Sequence, residues 1–144
     1  MENKPLKDEL YISVDIESSG HILGIYNMLS IGACAVDATP NKIGFYRELK
    51  PINDNYIWEA LQVSGFDMFS LKEIGVDPKI AMEVFEDWIE RNCQHKYYRP
   101  VFVGFNVTFG WQFVNYYFNY FLDYNPFGIL VVLVIKVGLF FGII

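Results

Sequence analysis

Across residues 10–17 the chain alternates without a break. Leu10, Ile12, Val14 and Ile16 are purely apolar, and Tyr11, Ser13, Asp15 and Glu17 between them carry polar atoms. A period of two marks a strand, because successive side chains leave a strand on opposite faces. One face must find a core, while the other delivers two carboxylates toward the strand's C-terminal end. Ser18, Ser19 and Gly20 then close it. Two more β-rich runs follow, at 28–36 and 43–49, with Pro40 and Asn41 in a turn at 37–42. Three strands joined by short links predict an antiparallel meander.

Downstream the period changes. Residues 51–76 are mixed, with a short helix expected at 57–62 and a break at Gly65. Asp77 followed by Pro78 is a helix start: the carboxylate accepts from free N–H groups, and proline has no N–H to leave unpaired. Ile80, Val84, Phe85, Trp88 and Ile89 then form an apolar stripe at helical spacing. Pro100 restarts the chain into a short buried strand at 101–103, and a helix that is aromatic on most faces is expected at 108–122. Gly128 opens a last apolar run. The order β-β-β-α-β-α-β predicts an α/β fold. Its five-stranded mixed sheet has three antiparallel strands, then strand–helix crossovers, and helices flank it. With 144 residues there is room for one core, expected over 10–144 behind a charged tail at 1–9.

A net charge of −6 argues against a broad basic surface for holding nucleic acid non-specifically. Cys34 and Cys93 have no motif spacing, and the N-terminal residues lack the apolar core of a signal peptide, so a reduced, cytoplasmic setting is expected. From 101 to 144 the only charged residues are Asp123 and Lys136. The apolar run at 127–144 is eighteen residues long, and a membrane span needs about 20. Lys136 near its middle would cost ~3 kcal/mol on insertion. A buried strand is the better expectation and a membrane anchor the lesser one. If left uncovered, this apolar end offers a surface for self-association.

The chemistry centres on Asp15 and Glu17. Two carboxylates on one face repel each other, and a hard divalent cation such as Mg²⁺ or Mn²⁺ is their natural counter-charge. A bare Asp-x-Glu is more often a polar strand end facing water. Its place at the C-terminal end of a central strand favours a site, since open α/β sheets put theirs there.

Residues 11–20 (YISVDIESSG), followed by 28–36 (MLSIGACAV), resemble the first motif and second strand of the DEDD-type 3′–5′ exonucleases. That family has a ribonuclease H-like fold and includes proofreading exonucleases, ribonuclease T and oligoribonuclease. Residues 59–65 (EALQVSG) are similar to its segment after the third strand, and 103–113 (VGFNVTFGWQF) to its second motif. The resemblance implies a two-metal site in which four acids hold ions ~4 Å apart, clamping the attacking water and the leaving 3′ oxygen. Asp15 and Glu17 match the first two acids, as metal ligands and catalytic residues for Mg²⁺ or Mn²⁺. Ser18, Gly20, Asn106 and Phe109 match substrate-binding positions, and the implied partner is the 3′ end of single-stranded DNA or RNA.

The match then stops. Where the second motif reads Asn-x-x-Phe-Asp, this chain has Asn106, Phe109 and Gly110. Val134 aligns where the family has another Asp, and the segment carrying its last acid and its His or Tyr would fall beyond residue 144. His21 reads as a solvated loop residue and His95 as part of a connector. Asp123 is more than three turns past Gly110, out of reach. The expectation is a metal-dependent 3′–5′ exonuclease with an impaired site. The alternative is a catalytically inactive module on the same fold that binds nucleic acid or protein.

Overall fold

The computed structural model describes residues 8–36, 43–95, 97–128 and 132–134. The alternating segment forms strand β1, Glu9–Ser18, with Leu10, Ile12, Val14 and Ile16 buried and Tyr11 and Asp15 exposed. β1 takes in Glu9 from the expected tail, and Arg99 holds that residue in an ion pair. β2, Met28–Val36, runs antiparallel to β1, and β3, Phe45–Glu48, antiparallel to β2. β4, Arg99–Gly104, returns parallel to β1 on its other side, and β5, Val132–Val134, runs parallel to β4. The sheet order β3-β2-β1-β4-β5 makes the Asp15 strand central, as its pattern predicted.

Helices α1, Trp58–Ser64, and α2, Met68–Ile74, follow β3, then α3, Pro78–Asn92, while α4, Val107–Leu122, joins β4 to β5. Gly65 ends α1 in the left-handed conformation (φ 73°), which glycine adopts without strain. α2 departs from the expected order. Seven residues are too few to show a helical period, yet its cap was readable: the Asp67 carboxylate accepts from the Phe69 and Ser70 N–H groups. Asp77 and Pro78 start α3 as expected. The buried face of α3 is rotated from the expected stripe, being Pro78, Ala81, Met82, Phe85, Trp88 and Ile89, while Ile80 is 53% exposed. Isoleucine at 80 fits the period, but the neighbouring Ala81 is the residue that is fully buried.

α3 and α4 share one core with Ile12 and Phe102, which are neighbours on β1 and β4. Phe85 stacks on Phe45 at 4.8 Å and on Phe118 at 5.5 Å, linking α3 to β3 and to α4. The Met28 N–H donates to the buried Tyr117 hydroxyl at 2.9 Å and fixes α4 against the start of β2. A separate small cluster of Leu29, Leu61, Met68 and Leu71 seats α1 and α2. The expected tail residues 1–7, the turn at 37–42 and most of the final apolar run lie outside the described residues. Among the described residues, no helix is long and apolar enough to cross a membrane.

Candidate functional site

β1 and β4 run side by side, and at the end of β4 the chain turns through Asn106 into α4. Gly104 permits the turn, since a Cβ there would stand 3.1 Å from the Val14 carbonyl oxygen. The first turn of α4 is thereby set against the end of β1. Between them lies a cleft of about 300 Å³, lined by Glu17, Ser18 and His21, by Glu59, Ala60 and Val63 of α1, and by Asn106 and Phe109. Four sequence-predicted residues, Glu17, Ser18, Asn106 and Phe109, thus meet in one place although they come from distant segments. Asn106 is the N-cap of α4, but its side chain makes no capping hydrogen bond, which leaves the amide available to a ligand.

Asp15 sits beside this cleft rather than in it. With Glu17 it borders an adjoining hollow of about 330 Å³, whose other walls include Ser30, Gly32, Tyr46 and Phe66. Gly32 stands opposite Asp15 on β2, beside the Tyr46 ring. Burial pushes the Glu17 carboxyl above its ordinary range, and the negative charge of Asp15 adds to the rise. Glu17 therefore feels the charge of Asp15 two residues before it.

The loop after β1 is fixed from behind. The Asn27 side chain is fully buried and donates to Ser19 Oγ, to the Asn53 oxygens and to the Asn55 carbonyl at 3.1–3.2 Å. Its own oxygen accepts from the Ile52 and Asn53 N–H groups at 2.7 and 3.0 Å. Gly20 has a supporting role: it is buried, does not line the cleft, and a Cβ there would fall 2.3 Å from the Tyr26 ring. The Ser18 hydroxyl donates to the Gly20 carbonyl at 2.7 Å.

The donor set fits a divalent cation only in part. Carboxylate oxygens suit Mg²⁺ or Mn²⁺, and Asp15 and Glu17 could share one ion. Among the described residues, no group of three or more His, Cys, Asp or Glu side chains could hold a metal. Gly110 is buried, and a Cβ there would meet Phe102 Cζ at 3.8 Å, an ordinary contact. Nothing in the backbone therefore requires glycine where the second-motif acid would stand. Of the polar lining residues, His21 and Glu59 were not expected in the site. Glu59 had a signal, since it opens a segment already matched, whereas His21 was read as solvated.

No family model matches the chain. The 3′–5′ DNA exonuclease Cap18 of Escherichia coli is 45% identical over 121 residues, covering 84% of this chain and 63% of that protein. The chain thus spans less than two-thirds of the length of this relative. Among solved structures, product-bound exonuclease I superposes with a TM-score of 0.68 at 14% identity, covering 84% of this chain and 27% of its own. Exonuclease I from Methylocaldum szegediense gives 0.69 at 12% identity, over 90% and 28% of the two chains. A metal-free E. coli exonuclease I–single-stranded DNA complex gives 0.67 at 14% identity, over 83% and 25%. At these identities the structural likeness speaks for the fold alone.

Proposed function

From a chain that is related to the DEDD-type 3′–5′ exonucleases and has their ribonuclease H-like fold, we propose a metal-dependent domain that acts on the 3′ end of single-stranded DNA and whose own site is impaired. One observation carries the reading: Glu17, Ser18, Asn106 and Phe109 line a single cleft at the end of the central strand. The name of the E. coli relative favours DNA over RNA.

Each residue has a part in this reading. Asp15 and Glu17 hold Mg²⁺ or Mn²⁺, which when bound supplies positive charge beside the scissile phosphate. The Phe109 ring offers a face to the terminal base, and the uncommitted Asn106 amide offers hydrogen bonds to the terminal sugar or phosphate. Exposed His21 is the cleft's one imidazole and can take a proton from an attacking water. The impairment lies at Gly110. Two carboxylates offset the charge of one divalent ion and leave a second uncompensated. A non-catalytic binding module is the competing reading, favoured by that missing acid and by the absence of a three-ligand cluster among the described residues.

A nuclease assay on 3′-labelled single-stranded DNA with Mn²⁺, run beside Gly110→Asp, separates the two. The wild-type chain should degrade DNA far below ordinary enzyme rates, and Gly110→Asp should tighten Mn²⁺ binding several-fold by calorimetry. Full activity in the wild type would refute the impairment. Binding without any cleavage, in both proteins, would select the binding module.

A further inference from the structure

The outward side of α4 is unlike the rest of this acidic surface. Residues 101–122 include no charged side chain, in a chain whose net charge is −6. A groove of about 490 Å³ runs along this side, bordered by Leu23 and by Gln112, Asn115, Tyr116, Asn119 and Tyr120. The Tyr116 and Tyr120 rings lie parallel, with centroids 5.5 Å apart and 11° between planes. Asn115 is held in place, its side-chain oxygen accepting from Asn119 and Asn125 at 2.9 Å. Gln112 is exposed.

The groove lies next to the cleft along the chain. His21 in the cleft and Leu23 in the groove are neighbours on one loop, while Phe109 and Gln112 are one turn apart on α4. At 1.5 Å per residue, the path from Phe109 to Tyr120 extends about 16 Å along the helix. Its chemistry suits one kind of occupant. Aromatic faces stack on bases, and side-chain amides pair with base edges. The lack of carboxylates spares the phosphates the repulsion they would meet elsewhere on this surface.

We propose that the α4 groove carries the part of a single DNA strand that lies upstream of the 3′ end, holding its bases by stacking on Tyr116 and Tyr120. This rests on the preceding reading, in which the cleft takes the 3′ end. Because the groove has no lysine or arginine, its share of the binding releases few counterions and depends little on salt.

The test is fluorescence anisotropy with labelled oligothymidines of about four and about twelve nucleotides, lengths within the range of single-strand binding sites. The twelve-nucleotide strand should bind the wild type more tightly, by a margin that stays constant as salt is raised. The double variant Tyr116→Ala/Tyr120→Ala should weaken the longer strand about tenfold and leave the shorter unchanged. Tyr116→Phe/Tyr120→Phe keeps both ring faces and should restore the wild-type affinity, which excludes misfolding as the cause. Equal affinity for both lengths, an unaffected alanine variant, or a phenylalanine variant as weak as the alanine one would each overturn the groove. Failure of the wild type to bind either length would bring down the cleft reading as well. An equal length effect with oligouridine would overturn the assignment to DNA.

Discussion

The two walls of the cleft are built from different forces. On the β1 side, buried Ser19 and Asn27 are hydrogen-bonded to Asn53 and Asn55, and among the described residues no buried side-chain nitrogen or oxygen lacks a partner. On the α4 side, the helix is held by aromatic packing, with Phe113 and Phe118 fully buried and Phe118 stacked on Phe85. Hydrogen bonds are directional, so the first wall fixes where Ser18 and its loop stand. Dispersion and apolar burial are not directional, so the second wall can be stable without specifying a polar group. The acids remain on the wall that positions precise polar groups, and the missing acid belongs to the wall that does not. Stability and site geometry are therefore separable here.

The largest expected effect tests the packed wall. Phe113→Ala removes a fully buried ring and should cost about 4 kcal/mol in urea unfolding. Below the transition it should still bind Mn²⁺ like the wild type, because the acids are held from the other wall. Asn27→Ala should cost somewhat less, about 3 kcal/mol, since it removes a fully buried side chain and several of its hydrogen bonds at once. It should nonetheless do more harm to the site, with faster hydrogen exchange across residues 19–27 and weaker DNA binding. If Phe113→Ala loses Mn²⁺ binding while folded, or Asn27→Ala keeps the loop's protection, the division between the walls fails.

Local signals carried much of this fold into the sequence. The alternation in β1, the Asp77–Pro78 start of α3 and the Gly65 stop of α1 each reflect a physical demand met within a few residues. What was hidden depends on distant partners. Asn27 is an unremarked polar residue until Asn53 and Asn55 are folded against it, more than twenty positions away. Ile80 fitted the helical stripe, but which face of α3 is buried is decided by the sheet beneath it. Of the candidate site, the common face of Asp15 and Glu17 was legible because a strand's period fixes it. Gly20, expected as a substrate contact, does not line the cleft, and the space it leaves is filled by Tyr26. His21, read as a solvated loop residue, is indeed exposed, and its place at the rim of the cleft depends on the fold around it.

The smallest effect bears on the charge stored on the β1 wall. Burial, and then the Asp15 charge, raise the Glu17 pKa in the fold above the ordinary carboxylate range. The folded chain thus holds this proton more tightly than the unfolded chain does. Its contribution to stability is complete below the unfolded value and is lost as pH rises toward the raised one. At neutral pH the ionised carboxylate is then a small liability, moderated by solvent because the group is only partly buried. Glu17→Gln removes it, so the variant should melt about 1–3 °C above the wild type near pH 7, and the gap should close toward pH 4. Saturating Mn²⁺ should reverse the order, because only the wild type keeps both carboxylates for the ion. A variant that melts below the wild type at neutral pH without metal would mean that the Glu17 charge is already compensated. The β1 wall would then be a finished structural feature rather than a site that waits for a cation.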